Sequence, residues 1–335
     1  MKASGYAAME RGAALQPFDF ELGDPGPYEV VIKITHCGLC HSDLHFIDSD
    51  LGYVSAFPLV PGHEIVGTVE RIGDQMTEIK VGDRVGVGYQ CKACLDCEWC
   101  RRSMENFCKK RQATVSGRPG GFASHIRVDG RFAYPIPKTL ASEHAAPLLC
   151  AGHTVYSALR RHGAGPDVRV GIVGFGGLGH IGVLLAKAMG CEVTVISSNV
   201  EKKADAEKMG ANRFLSEKNE EQIARWKESL DLIVDTAPGG PSPEKLFDLL
   251  RPNGRLVFVS RGASEIRISS TRIMASQMQI AGSITGGRVA MAEMLNFAAW
   301  NGIKPWVEVM PMARVNEAIA RLRAGKARYR IVLTN

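Results

Sequence analysis

A glycine-rich turn between an apolar strand and a helix constrains the fold of this 335-residue chain more than any other feature. The turn follows a strand at 170–173 and has the pattern G-x-G-x-x-G, formed by Gly174, Gly176, Gly177, Leu178 and Gly179. The first glycine of such a pattern allows a tight turn, the second admits a pyrophosphate close to the backbone, and the third packs the helix on the strand. In this context the pattern predicts a dinucleotide-binding site. The alternative is a turn that serves only packing.

Strands and helices alternate on both sides of this turn from about residue 151. The predicted strands are 169–173, 192–196, 230–235, 255–260, 279–284 and 329–333, and the predicted helices are 178–189, 200–209, 243–250, 291–300 and 315–324. Alternation of this kind predicts a parallel, doubly wound sheet. The first 150 residues instead contain short β-type runs broken by Gly and Pro. We therefore expect an α/β protein in which a mostly-β domain precedes a Rossmann domain.

The end of the second strand of this region bears on the choice of cofactor. NAD-specific sites usually carry an acidic residue there, which holds the ribose 2′-hydroxyl. This chain has Ser197, Ser198 and Asn199 instead, followed closely by Lys202. Small hydroxyls and a cation would accept a 2′-phosphate, so NADP(H) is the predicted cofactor. Alternatively, Ser198 caps the next helix and the lysines are solvated.

Four cysteines lie within fifteen residues of one another in a C-x2-C-x2-C-x7-C pattern. They are Cys94, Cys97, Cys100 and Cys108. Zinc takes four such thiolates tetrahedrally, and a shell of four cysteines leaves no position for a substrate. The cluster therefore predicts a structural zinc site in a lobe at about 91–108. Cys37, Cys91 and Cys191 are expected to be packing residues.

A second group of possible metal ligands is scattered along the first 150 residues. Cys40, His63 and Cys150 would form a catalytic zinc shell with a vacant fourth position, because two thiolates and one imidazole are a common set. Spacings of 23 and 87 residues do not by themselves connect them. The alternative is that the two cysteines are buried hydrophobic residues and the histidine a hydrogen-bonded core residue.

Composition limits the remaining possibilities. The chain carries 41 Lys and Arg against 35 Asp and Glu, spread evenly, which does not favour nucleic acid and suits an anionic cofactor. No apolar run of eighteen residues is present, so no membrane span is predicted. Nine cysteines without a secretory signal indicate a reduced, cytoplasmic protein, where clustered cysteines bind metal more often than they form disulfides.

Several motifs in one order resemble the zinc-dependent medium-chain alcohol dehydrogenases, in particular the cinnamyl-alcohol-dehydrogenase-like, NADP-dependent branch. The resemblance rests on residues 40–45, 61–67, 94–108, 145–152, 174–179 and 328–332. It implies a GroES-like catalytic domain at 1–150 and 287–335, with a Rossmann NADP-binding domain at 151–286. It also implies two zinc ions per chain, a small alcohol or aldehyde substrate, and a homodimer.

Site roles follow from the resemblance position by position. Cys40, His63 and Cys150 resemble the catalytic zinc ligands, Glu64 the acid beside the metal, and Asp43 the residue that orients a metal-bound histidine. Ser42 resembles the hydroxyl that contacts the substrate alcohol, and His45 the outer end of the proton relay. His41 and Arg330 match positions that contact the pyrophosphate, and Thr154 one on the nicotinamide side. For His41 and His45, ordinary surface histidines are the alternative.

Some features depart from the plant members of this branch. The segment 109–119 is shorter than the aromatic loop that lines their substrate pocket, and Phe46, Leu51, Tyr53 and Tyr89 differ in type at pocket-like positions. A dedicated lignin-precursor enzyme is therefore not expected, and aromatic or medium aliphatic aldehydes are the predicted substrates. The competing hypotheses are a zinc polyol dehydrogenase, and a zinc-stabilised binding protein whose cysteine cluster is a nucleic-acid-binding ribbon.

Overall fold

Seventeen strands and eleven α-helices occur in the computed structural model, which describes residues 1–53, 55–260 and 265–335. The strands are β1 (Lys2–Ala7), β2 (Gln16–Glu21), β3 (Glu29–Leu39), β4 (Glu64–Ile72), β5 (Arg84–Val87), β6 (Gln90–Lys92), β7 (Gln112–Ala113), β8 (His125–Asp129), β9 (Ala133–Pro135), β10 (Arg169–Val173), β11 (Glu192–Ser197), β12 (Arg213–Ser216), β13 (Leu230–Asp235), β14 (Leu250–Phe258), β15 (Gln279–Gly282), β16 (Val307–Pro311) and β17 (Arg330–Thr334). The helices are α1 (His41–Asp48), α2 (Glu98–Arg101), α3 (Ser142–Pro147), α4 (His153–Arg161), α5 (Gly179–Ala188), α6 (Lys203–Lys208), α7 (Glu220–Arg225), α8 (Pro243–Leu249), α9 (Ser270–Ala275), α10 (Arg288–Trp300) and α11 (Val315–Arg323).

Two units divide the chain, one formed by Met1–Cys150 with Gly286–Asn335 and the other by Ala151–Thr285. The second unit contains a six-stranded parallel sheet in the order β12-β11-β10-β13-β14-β15. Counted along the chain this is the strand order 3-2-1-4-5-6 of dinucleotide-binding folds. The predicted doubly wound α/β architecture is confirmed.

Apolar residues on both faces of this sheet explain why it is covered by helices. Val173, Ile196, Ile233 and Leu256 have no exposed surface, as expected for parallel strands buried on both sides. Helix α5 packs on β10 and β11, and most of its residues are buried. This arrangement holds the glycine-rich turn at the end of β10, at the carboxyl edge of the sheet.

A seven-stranded sheet organises the first unit, in the order β16-β17-β3-β4-β5-β9, with β8 also pairing with β3. Strand β3 is eleven residues long and joins antiparallel partners on both sides. Its largest fully buried residues include Ile32, Ile34 and Leu39, which form the core with Phe122 and Ile126. The far end of β3 leads directly into Cys40 and α1.

Several element boundaries differ from the sequence predictions. Strand β14 starts at Leu250 rather than at 255, and the predicted helix 200–209 is a 3₁₀ turn at Val200–Lys202 followed by α6. Asn199 accepts a hydrogen bond from the backbone N–H of Glu201, so Asn199 and not Ser198 caps this turn. Within the described ranges, no helix combines the length and apolar character needed to cross a bilayer.

Candidate active site and metal centres

Strand pairing brings the scattered metal-ligand candidates of the first unit together. The antiparallel register pairs Gly38 of β3 with Glu64 of β4, so that Cys40 and His63, which follow and precede those strands, become neighbours. Cys150 comes from a single π-helical turn at Leu148–Gly152, a feature often found at functional sites. One ligand atom from each of Cys40, His63, Glu64 and Cys150 lies within 4.8 Å of all the others.

Asp43 fixes the orientation of the histidine. Its Oδ1 lies 2.8 Å from His63 Nδ1 and accepts the backbone N–H of Gly62 at 3.0 Å, while Oδ2 accepts the N–H of Cys40 at 2.9 Å. Cys40 is the N-cap residue of α1, and Asp43 is in its first turn. With Nδ1 engaged, Nε2 faces the sulfur of Cys150 at 3.3 Å, as in metal sites where a carboxylate orients the ligand.

The donor set of this cluster fits a zinc ion. A tetrahedral ion with bonds of about 2.0–2.3 Å separates its nitrogen and sulfur ligands by roughly 3.6 Å, close to the observed separation. Hydrogen bonding to Cys150 lowers the pKa of Cys40, while the same contact together with burial raises the pKa of Cys150. A divalent ion would hold both sulfurs as thiolates.

Glu64 and Arg330 form a buried ion pair beside this cluster. Arg330 Nη2 lies 2.5 Å from Glu64 Oε1 and 2.6 Å from Oε2, and it also donates to the carbonyl of Leu39. Burial raises the pKa of Glu64 to about 8, against the opposing charge of Arg330. A Cβ on Gly38 would lie 2.0 Å from Glu64 Oε2, so only glycine leaves room for this carboxylate. The contact of Arg330 with a pyrophosphate stays a prediction.

Helix α1 carries the two predicted relay residues, Ser42 and His45, together with His41, which is predicted to contact the pyrophosphate. His41 is exposed at its start, and Ser42 is half-buried, with its Oγ accepting a hydrogen bond from the Tyr53 hydroxyl at 3.3 Å. His45 is also half-buried, and its Nδ1 lies 2.7 Å from Asp50 Oδ1. All three residues therefore project from one short helix that begins at Cys40.

The four-cysteine cluster is a separate site in the first unit. The sulfur of Cys94 lies 3.8 Å from that of Cys100 and 3.5 Å from that of Cys108, and Cys97 and Cys100 are 3.6 Å apart. Ligands about 2.3 Å from a tetrahedral zinc are separated by about 3.8 Å, so the thiols already stand at metal-binding spacing. Backbone N–H groups of Asp96 and Cys97 lower the pKa of Cys94 to about 6.

Residues of this lobe also hold the start of α10. The buried carboxylate of Glu105 accepts the backbone N–H of Arg288 at 2.9 Å, and the Arg288 guanidinium donates to the carbonyl of Arg131. A Cβ on Gly287 would lie 2.0 Å from the carbonyl oxygen of Ser103. Cys91 stands outside the cluster, with its sulfur 3.6 Å from the Gln112 carbonyl and from Arg118 Nη1.

In the second unit, the glycine-rich turn has the geometry of a phosphate cradle. Gly174 adopts a φ of +81°, and a Cβ on Gly179 would lie 1.9 Å from the Gly174 carbonyl oxygen, so neither position admits a side chain. A Cβ on Gly176 would meet nothing within 4 Å, which leaves its backbone open to a ligand. The Thr236 hydroxyl donates to the carbonyl of Val173 at 2.7 Å. The turn therefore fits a pyrophosphate at the N-terminus of α5.

The predicted 2′-phosphate residues surround the end of β11. Lys202 Nζ donates to the carbonyl of Phe175 in the glycine-rich turn at 3.0 Å. The hydroxyl of the buried Ser197 accepts the N–H of Asn199, while Ser198 is exposed. The structure thus places one cation, Lys202, against the turn. Thr154 is buried in α4 of the same unit.

Comparison with known proteins decides the family. Residues 26–138 match the alcohol dehydrogenase GroES-like domain and residues 177–300 the zinc-binding dehydrogenase domain. The probable cinnamyl alcohol dehydrogenase 6 of Arabidopsis thaliana is 43% identical over 342 residues, which cover 99% of this chain and 94% of that protein. The chain belongs to the cinnamyl alcohol dehydrogenase family. It is a zinc-binding alcohol dehydrogenase that acts on small alcohols and aldehydes, as the sequence motifs predict.

Solved structures agree with this membership. A cinnamyl alcohol dehydrogenase of Sorghum bicolor superposes with a TM-score of 0.95 at 37% identity, covering 100% of this chain and 98% of that one. The CAD of Helicobacter pylori, solved as a complex with NADP(H), gives a TM-score of 0.91 at 32% identity and covers 99% and 98%. The GroES-like and Rossmann fold classes are confirmed, and family membership favours a dehydrogenase over a nucleic-acid-binding ribbon.

Three of the predicted pocket residues of this cinnamyl alcohol dehydrogenase homologue form an aromatic cluster beside the cysteine–histidine site. Phe46 packs edge-on against Tyr53, with ring centroids 4.5 Å apart, and also lies near Tyr89. Tyr89 in turn packs edge-on against His63 at 5.7 Å. Leu51 is exposed. In the short segment 109–119, Thr114 is buried, and its hydroxyl donates a hydrogen bond to the carbonyl of Gly88.

Sequence reasoning missed several residues that this family member uses to build its sites. Tyr53 was assigned only to the pocket wall, although its hydroxyl contacts Ser42. Glu105, which accepts the backbone N–H at the start of α10, and Thr236, beneath the glycine-rich turn, are not predicted from the sequence. Each is a single polar residue whose contact forms only in the folded chain, and no motif assigns that contact. No spacing or pattern could have identified them.

Proposed function

We propose that this alcohol dehydrogenase interconverts aromatic or medium aliphatic aldehydes and their primary alcohols with NADP(H). The observation that carries the proposal is the buried Cys40, His63 and Cys150 cluster with an acidic fourth member, Glu64. We assign catalysis to the unit containing that cluster and cofactor binding to Ala151–Thr285.

The chain's own residues would divide the work as follows. Cys40, His63 and Cys150 hold the zinc, which when bound polarises the substrate oxygen. Asp43 keeps the His63 ring in place through Nδ1, which leaves Nε2 for the metal. The nicotinamide cofactor supplies or accepts the hydride.

Proton transfer would run through helix α1. Ser42 donates its hydroxyl proton to the substrate oxygen in aldehyde reduction and accepts a proton there in alcohol oxidation. His45, held by Asp50, is the outer member of the relay, which returns to Ser42 the proton given up in reduction and takes from it the proton gained in oxidation. The aromatic cluster of Phe46, Tyr53 and Tyr89 would form an apolar wall that favours an aromatic or aliphatic tail over a polyol.

The preference for NADP(H) rests on the end of β11. Lys202 is tethered to the glycine-rich turn, and Ser197, Ser198 and Asn199 bring no carboxylate that would repel a 2′-phosphate. The Helicobacter pylori relative was solved as a complex with NADP(H). Gly174, Gly176, Gly177, Leu178 and Gly179 would hold the pyrophosphate. His41, Thr154 and Arg330 are the further cofactor contacts that we propose.

A cofactor comparison tests this assignment. We expect kcat/KM to be higher with NADPH than with NADH, and Lys202→Ala to raise the KM for NADPH by about tenfold while NADH is little affected. Lys203→Ala is the matched control, because Lys203 is the adjacent, exposed lysine. A wild-type preference for NADH would refute the NADP(H) proposal. If Lys202→Ala lowered kcat/KM equally with NADPH and NADH, Lys202 would only support the glycine-rich turn and would not recognise the 2′-phosphate.

A substrate screen tests the reaction class. NADPH oxidation should be fast with cinnamaldehyde, benzaldehyde and hexanal, and NADP⁺ reduction slow with sorbitol. A reversed order would favour the polyol dehydrogenase.

We also propose a homodimer in a reducing compartment. Strand β15 is the edge of the parallel sheet and carries exposed Ile280, with exposed Ile284 just beyond it, which suits strand-to-strand pairing between two copies. All nine cysteines are free thiols. Light scattering should give twice the chain mass of 36.3 kDa, and a monomer at micromolar concentration would refute the dimer.

A further inference from the structure

Tyr53 stands directly beside the hydroxyl to which the proposed function gives the proton transfer. Its phenolic oxygen donates a hydrogen bond to Ser42 Oγ at 3.3 Å. This is longer than a typical O–H···O bond of about 2.7–2.8 Å, as catalytic hydrogen bonds in ligand-free sites commonly are.

The Tyr53 ring is held on two sides by aromatic neighbours. His45 stacks on it with centroids 5.8 Å apart and an interplanar angle of 15°, and Phe46 packs edge-on at 4.5 Å. Its backbone is fixed as well, because its N–H donates to Asp50 and its carbonyl accepts from the Ser49 hydroxyl. A ring held in this way leaves the hydroxyl little freedom other than rotation about its C–O bond.

Hydrogen-bond chemistry then restricts Ser42. A serine hydroxyl has one proton to donate and two lone pairs that accept. If Tyr53 donates to one lone pair, the proton of Ser42 is directed away from the phenol and is free for another acceptor. That acceptor would be the oxygen of the substrate.

We propose that Tyr53 is a positioning residue, which orients the Ser42 hydroxyl for proton exchange with the substrate and keeps its own proton throughout. The proposal rests on the role given to Ser42 in the proposed function. In addition to lining the pocket with its ring, Tyr53 would orient Ser42, and only its phenolic oxygen takes part in this second role. The ring and the oxygen can therefore be separated by mutation.

Tyr53→Phe removes the oxygen and keeps the ring. We expect the single-turnover rate of NADPH oxidation by cinnamaldehyde to fall roughly threefold to tenfold, the effect of losing one hydrogen bond. The KM for the aldehyde should change less than twofold, and zinc content and melting temperature should stay at wild-type values. A raised KM with an unchanged rate would overturn the proposal, because it would make Tyr53 only a binding surface.

A double-mutant cycle shows whether Tyr53 acts through Ser42. In a Ser42→Ala background, Tyr53→Phe should cause no further loss of rate, whereas in Ser42→Thr, which retains a hydroxyl, the loss should reappear. Equal losses in the wild-type and Ser42→Ala backgrounds would overturn the proposal. The proposed function fails separately, if Ser42→Ala itself turns over at the wild-type rate.

Discussion

The two metal-binding clusters of this enzyme lie in the same unit but have different surroundings. The four-cysteine cluster is made of thiols alone, two of them half-exposed, and backbone N–H groups donate to its sulfurs. The Cys40, His63, Glu64 and Cys150 cluster is fully buried and borders ionisable side chains, namely Asp43 and Arg330.

Because of these surroundings, the same kind of ion can serve two purposes in one chain. Backbone donors stabilise thiolate charge without offering a group that can move or titrate, so the four-cysteine site is suited to holding a loop. Buried carboxylates and a histidine can exchange partners or protons, so the mixed site is suited to chemistry.

Loss of a ligand from the mixed cluster should have the largest effect. We expect His63→Ala to lower kcat by at least about a thousandfold, because the chain then lacks the imidazole that completes the zinc shell. Zinc analysis should give about one ion per chain instead of about two. NADPH titration should still show binding, since the cofactor-binding turn lies in the other unit. Turnover at the wild-type rate in a His63→Ala protein that holds only one zinc ion would contradict the distinction between the clusters.

The matching change in the four-cysteine cluster should act on stability. Cys97→Ala should lower the melting temperature by roughly 10 °C, from the loss of a few kcal/mol of metal-linked folding energy. Any loss of activity should follow the fraction of unfolded protein measured by circular dichroism. If Cys97→Ala instead abolished activity in fully folded protein, the cluster would have a catalytic role.

Asp43→Asn tests the charged surroundings of the mixed cluster. The amide has nearly the same shape but carries no charge to hold the His63 ring, so zinc affinity should fall by about 10–100-fold. Competition with a fluorescent chelator would measure this, and the four-cysteine site of the same protein serves as an internal reference. An equal weakening of both sites would show that the effect is not local.

Glu105→Gln should give the smallest change. It keeps an acceptor for the Arg288 N–H but removes a negative charge from the N-terminus of α10, which is worth about 0.5–1 kcal/mol. We expect a shift in melting temperature of roughly 1–4 °C with two zinc ions retained. A shift as large as that of Cys97→Ala would mean that this one contact transmits most of the stabilisation by the lobe.

Much of the parallel sheet could be predicted from sequence because its strands are short apolar runs bounded by glycine or polar residues. The strand Arg169–Val173 was predicted to the residue. Strand β12 of this sheet was not predicted, because it is a four-residue edge strand whose two ends are only half-buried. Strand β16 of the first unit was not predicted either, because it is a half-exposed edge strand that ends in proline. Strand β14 begins earlier than predicted because Leu250 already pairs with Leu230, ahead of a β-bulge. In the sequence alone, Pro252 and Gly254 at this point indicate a turn rather than a strand.

The active site could be predicted only in part. The four-cysteine cluster could be predicted because its members are closely spaced in the sequence. Cys40, His63 and Cys150 become neighbours only through the β3–β4 register and a π-helical turn, which no local sequence pattern encodes. Their grouping at the sequence level came from resemblance. The contacts of Glu64 with Arg330, and of Tyr53 with Ser42, depend on tertiary packing and needed the structure.

Cys40 is at once a candidate metal ligand and the residue at which α1 begins. Ser42 follows it by two peptide units, and each such unit has a fixed length of 3.8 Å between Cα atoms. Because of this short connection, a change that displaces the start of α1 would disturb the metal ligand and the proton-transfer hydroxyl together.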